Sequence, residues 1–328
     1  MLRFFRSPKA SVIAVILLLG VGTWIHALSN AGPSADIKHG MPLFLLLNGF
    51  LAGASGLQAW CGLLLTLLVA ALQIYINRLN TTDRISCLPP LCYILLTGGV
   101  PGIHVLHPVM WASFFLTIAL ILLLSSFRSN HLSYAYFTAP IYVAIAVFFY
   151  RYAYMYMLVI WICLFFFRPG YWREWVFSLL GFLFPFFWYF GWCYLMYNRP
   201  AMLFDMFAQM FSFSHTMPQW EPSIYFFFIF TVLLSLVSIG YLLRSIGSRK
   251  IIVRNDYYAL LIVTAVLLLT TVIVPDTLPF AWYLIAFPLS FFISYYLAHV
   301  RSVRWGKIVL GLLMAASGFS QLIFYVKF

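Results

Sequence analysis

The sequence predicts an all-α protein that crosses a lipid bilayer about eleven times, and three observations carry that prediction. The 328 residues are 64% hydrophobic and only 8% charged, against about 25% charged in soluble chains. The apolar runs are continuous and about 17–25 residues long, the length a helix needs to cross a hydrocarbon core of ~30 Å. A membrane barrel would instead show alternating segments of about ten residues. Helices also satisfy their own backbone hydrogen bonds in lipid. Finally, the basic residues fall almost wholly on one side of the resulting map.

The first apolar stretch, residues 10–28, follows Arg3, Arg6 and Lys9. It is long and many more follow, so it reads as an uncleaved first span leaving the cytoplasm. A polar segment (SNAGPSADIKHG) leads to residues 41–56, a short apolar piece broken by Gly and Asn that reads as a re-entrant or interfacial helix. Span 2 covers about residues 57–76. Span 3, about 87–103, contains Pro89, Pro90 and the Gly98–Gly99 pair, which predict a kink. Span 4 is about 108–127. Spans 5 and 6, about 132–150 and 152–167, form a hairpin around Arg151, the one charge in a long apolar run. Span 7 is about 175–196. After a longer polar loop come span 8 (about 223–243), span 9 (about 257–274), span 10 (about 280–299) and span 11 (about 308–326). Residues 1–328 read as one transmembrane domain.

Alternating the loops gives a test. The inner side receives Arg3, Arg6, Lys9, Arg78, Arg84, Arg128, Arg168, Arg173, Arg244, Arg249, Lys250, Arg254, Arg301, Arg304 and Lys307; the outer side receives Lys38, Arg151, Arg199 and Lys327. That is 15 against 4 of the 19 basic residues. A further crossing at 41–56 would reverse every later loop and destroy the asymmetry. The positive-inside rule therefore predicts a cytoplasmic N-terminus and accounts for the net charge of +12 without nucleic acid. The five cysteines form no CxxC pair, so neither a disulfide framework nor a zinc site is expected. No P-loop, GxGxxG before a helix or HExxH is present, and no cofactor or metal is required by a motif.

With so few charges, those on the outer side are the candidate site. Arg151 between two apolar helices is costly unless it meets an anion, a cavity or the headgroup region. One reading is a clamp for phosphate, whose oxygens a guanidinium binds in a bidentate fork. The other is a hairpin turn at the interface, where arginine snorkels to lipid phosphates. Asp36, the only carboxylate of the first outer loop, reads as a general base or as a solvated residue and helix cap. Lys38 and His39 stand beside it and, with Arg151 and the second outer arginine Arg199, are candidates for holding a lipid phosphate. Asp205, His215 and Glu221 have types that suit a divalent metal, but their irregular spacing favours ordinary loop polarity. His104 and His107 share the outer side, and Asp276 in PDTLP reads as turn chemistry. On the inner side, the WREW cluster at 172–175 reads as an interfacial anchor.

This layout, a first span, an outer loop with an acidic residue, a short non-spanning helix and then closely paired spans, resembles the GT-C superfamily of membrane glycosyltransferases. The resemblance implies transfer of a sugar from a polyprenyl-phosphate donor in an outward cavity, with residues 10–196 as the core. It also implies Asp36 as catalytic base and Arg151 and Arg199 as phosphate-binding residues. The segment Ala135 to Arg168 is similar to the middle hairpin of these enzymes. The stretches INRLNTTDR, LPPLCYILL and FRPGYWREW resemble a family of Bacteroidota inner-membrane proteins, which brings a bacterial inner-membrane location but no activity. The chain departs from the GT-C pattern in its short first outer loop with one carboxylate and in lacking a large outer domain.

Two further classes stand beside the transferase. One is a non-catalytic membrane subunit of a larger envelope complex that binds a lipid or a protein. The other is a lipid or solute transporter, which usually shows repeats and mid-span ionisable residues. No carboxylate is expected mid-span here. The expected partners are membrane lipids, a polyprenyl phosphate among them, and proteins of a membrane complex.

Overall fold

The computed structural model describes residues 5, 9–29, 41–51, 55–80, 86–127, 134–168, 170–197, 201–211, 222–275, 278–300 and 302–326. Within them the chain forms thirteen α-helices and no strand. They are α1 (Ala10–Ser29), α2 (Pro42–Leu51), α3 (Ser55–Asn80), α4 (Leu88–Gly98), α5 (Pro108–Ser126), α6 (Ala135–Val147) and α7 (Tyr156–Phe167). There follow α8 (Trp172–Tyr197), α9 (Ala201–Met210), α10 (Pro222–Ser245), α11 (Ile251–Ile273), α12 (Leu278–His299) and α13 (Val303–Val326). Eight of these, α1, α3, α5, α8, α10, α11, α12 and α13, are long and apolar enough to cross a membrane. The chain is an all-α, multi-pass membrane protein.

The apolar runs read as spans 3, 5 and 6 form shorter helices, α4, α6 and α7, of 11, 13 and 12 residues. At 1.5 Å per residue they are about 16–20 Å long, short of a ~30 Å hydrocarbon core. For α4 the reason is burial. All eleven of its residues are buried, so protein, rather than lipid, decides where it stops. The two prolines do not kink it: they lie in its first turn, where a missing N–H is harmless. The helix ends at Gly98, and the Val100 amide turns back to the Thr97 carbonyl. The Leu96 and Gly98 carbonyls are taken by side chains instead. Trp282 Nε1 donates to Leu96 O at 2.8 Å, and Gln321 Nε2 donates to Gly98 O and, at 3.4 Å, to Thr23 O. Irregular backbone at membrane depth persists where protein groups satisfy it in this way.

The centre of the molecule is α4 and α12. Helix α4 packs on α1, α3, α12 and α13, and α12 also contacts α5, α10 and α11. Its spanning window is 89% buried, against 22% for α1 and α8, whose exposed Leu18, Phe187, Trp188 and Leu195 face lipid. A second unit forms where α6 packs between α5 and α8. Gly181 of α8 lies directly on the Phe137 carbonyl of α6, so these two backbones touch without a side chain between them.

The inner ends of α5–α8 are fastened by one buried cluster. Arg168 Nη1 donates to Glu174 Oε1 at 2.8 Å, and Nη2 donates to the Ser126 carbonyl at the end of α5 at 2.9 Å. The Ser126 hydroxyl donates to the Tyr136 hydroxyl at 2.9 Å. A cation at the C-terminus of α5 and a carboxylate in the first turn of α8 both suit the helix dipoles. Glu174 is 2% exposed. It is therefore a buried ion-pair partner, where the WREW pattern suggested an interfacial anchor.

Candidate functional site

The Arg151 turn is built by the way α6 ends. After Val147 the chain makes a short turn, Tyr150 is extended, and Arg151–Met155 form one 3₁₀ turn that enters α7. Extended backbone points successive side chains to opposite sides. Phe149 stacks on Trp111 and Phe115 of α5, with ring centroids 5.4 Å apart in both pairs. Tyr150 lines a small apolar cleft, together with Tyr152, Tyr156, Leu267, Thr270 and Leu284. The half-buried Arg151 guanidinium lies over the Tyr152 ring, 4.7 Å from its centroid. Arg151 and the cleft thus share the Tyr152 ring as a wall; Arg151 itself is not part of the cleft lining.

Register against neighbouring helices gives the depth of this turn. Trp111 and Phe115 are the fourth and eighth residues of α5, so Phe149 sits about 5–10 Å below the outer end of that helix. Phe148 packs on Phe186 and Tyr189, about 12–16 Å short of the outer end of α8. The cleft residues Leu267 and Thr270 of α11 and Leu284 of α12 lie one to two turns inside their outer ends. The turn is recessed because α6, about 20 Å long, is too short to reach the outer surface.

Two outer elements converge on this recess. Helix α2 docks on it end-on: the Met41 amide donates to the Phe149 carbonyl at 3.3 Å, and the Leu43 amide donates to Phe148 at 3.1 Å. Unspent amides at the start of one helix here meet carbonyls left over at the end of another. Gln58 ties the other end of α2 to α3 by donating to Asn48 Oδ1 and Leu51 O. Helix α9 packs against α8 and the Arg151 turn, through Phe207 on Phe186 and Phe211 on Tyr154.

Of the candidates named from sequence, Arg151 is placed as described. Asp205 lies on α9, one of the two converging elements, with its backbone alone described. Asp36, Lys38, His39, Arg199, His215, Glu221 and Asp276 lie outside the described residues. His104 and His107 are drawn into the structure of the α4–α5 connection. His104 Nδ1 donates to Pro101 O at 3.0 Å, its ring meets the edge of Trp24, and burial pushes its pKa down to about 4. His107 Nδ1 accepts from the Val109 amide as the cap of α5, and its ring stacks on Phe280 at 3.8 Å. Among the described residues no group of three or more His, Cys, Asp or Glu could hold a metal.

Trp111, Tyr150 and Tyr152 were not singled out from sequence, although a signal for part of the set is present: tyrosines alternate along YRYAYMY around the one charge of the hairpin. No family model, curated protein or solved structure matches the chain.

Proposed function

We propose that this chain is a GT-C-like glycosyltransferase of a bacterial inner membrane that takes a polyprenyl-phosphate-linked sugar into the Arg151 recess from the outer side. The supporting observation is the recessed Arg151 turn, whose guanidinium lies over the Tyr152 ring, with the end of the first outer loop docked beside it. The fork of an arginine matches phosphate, and a turn between apolar helices places that fork where a lipid phosphate arrives. Met41 follows His39, Lys38 and Asp36 by two, three and five residues, so Asp36 is on a tether of at most about 18 Å. In the transfer, Asp36 takes the proton of the acceptor hydroxyl as that oxygen bonds to the anomeric carbon. The bond from that carbon to the phosphate oxygen breaks, leaving polyprenyl phosphate on Arg151.

A second reading is a non-catalytic subunit that holds the same lipid phosphate. The test is thermal unfolding of the purified full-length protein with a polyprenyl phosphate or the matching polyprenol. The phosphate should stabilise the wild type, the alcohol should not, and Arg151→Gln should abolish the difference. Equal effects of phosphate and alcohol would remove the phosphate site and both readings with it. Asp36→Asn then separates them: it should bind lipid normally while losing sugar transfer, whereas a subunit is indifferent to it.

A further inference from the structure

The opposite end of the molecule carries a second feature that the recess does not use. The α10–α11 and α12–α13 connections are held together at the inner side: Tyr241 Oη donates to the His299 carbonyl at 2.7 Å, and Ser245 Oγ lies 2.9 Å from Tyr295 Oη. These two connections and the helix turns beside them carry six cations at this corner of the inner side. Arg244, Lys250, Arg304 and Lys307 are exposed, and Arg249 and Arg254 are partly exposed. The guanidinium of Arg249 lies over the Tyr295 ring, 5.8 Å from its centroid. Asp256, the carboxylate of this region whose side chain is described, is buried below the surface. Within one turn of the cations stand Ile251, Trp305 and Ile308, which are 65%, 61% and 51% exposed.

We propose that this corner binds the headgroup of an anionic phospholipid of the inner leaflet, with the acyl chains on Ile251, Trp305 and Ile308. Exposed apolar side chains interleaved with cations fit a lipid, which offers an anion and hydrocarbon at adjacent depths; an acidic protein segment offers only the first. Cations near an anionic surface contribute about 1 kcal/mol each, which is about fivefold in affinity per cation. The corner is distinct from Arg151, so this inference does not depend on the reading given to the recess.

The experiment is thermal unfolding of the full-length protein in neutral detergent, titrated with phosphatidylglycerol or phosphatidylcholine of the same chains. Phosphatidylglycerol should raise Tm in a saturable, salt-sensitive way, and phosphatidylcholine should not. The exposed pair Arg304→Gln/Lys307→Gln should weaken the apparent affinity at least tenfold while keeping the lipid-free Tm. Arg78→Gln/Arg173→Gln, which removes two other inner cations, and Arg151→Gln should leave it unchanged. Equal shifts with both lipids would overturn the proposal, as would equal weakening by the Arg78/Arg173 pair. A shift produced as well by inorganic phosphate or by soluble polyglutamate would also overturn it, in favour of a free anion or an acidic protein.

Discussion

Replacing Arg168 by methionine should be among the most damaging single changes away from the recess. The guanidinium is 11% exposed and the Glu174 carboxylate 2% exposed, so their 2.8 Å contact is a buried pair. Removing one partner of such a pair leaves an uncompensated charge and costs about 3–5 kcal/mol. Arg168 also donates to the Ser126 carbonyl and lies over the Tyr136 and Tyr171 rings at 5.4 and 5.8 Å. Arg168→Met should therefore lose stability near the top of that range. The double variant Arg168→Met/Glu174→Met removes the orphaned charge, and should recover part of the loss, because apolar replacement of a whole buried pair is often nearly neutral. The remaining deficit, about 1–2 kcal/mol, reflects the uncapped Ser126 carbonyl. The assay is reversible unfolding of the full-length protein in a fixed detergent, run as a double-mutant cycle. A loss under 1 kcal/mol for Arg168→Met, or strictly additive losses, would refute the reasoning, because that is how an exposed pair behaves.

Two further outcomes follow from local geometry. Gly181→Ala should destabilise by about 1–3 kcal/mol, because the added methyl meets the Phe137 carbonyl of α6. Gly191→Ala on the same helix has open space and should be neutral or slightly stabilising, and thermal unfolding of the two variants compares them directly. For His104 the folded pKa lies near 4, below the ordinary value of 6.5. Its contribution is fully present above pH 6.5 and is lost as pH falls toward 4, by about 1.4 kcal/mol per unit. His104→Gln should flatten the fall in stability between pH 6.5 and 5; an unchanged slope would show that His104 does not set it.

The recess shows how little of a site a sequence in this class exposes. Arg151 was legible because a lone charge in an apolar hairpin is rare. Its depth was not, since that depends on α6 ending at Val147 and on which turn of α5 receives Phe149. The docking of Met41 on Phe149 joins segments more than a hundred residues apart, and no local pattern announces it. Glu174 went the other way. Its neighbours are tryptophans and an arginine, which read as an interface, and its burial follows from Arg168 arriving from the end of α7.

By itself the sequence determined the class and the orientation expected of it. Apolar runs of spanning length leave helices as the only stable form in lipid, and basic loops on one side set the direction of each crossing. The tertiary structure decided which of those runs become full-length helices. Helix α4 stops at Gly98 because Trp282 and Gln321, 186 and 223 residues further along from their acceptors, satisfy the carbonyls it leaves open. A helix facing lipid must carry its own hydrogen bonds to the surface. A helix wrapped in protein is free to end where its neighbours supply them.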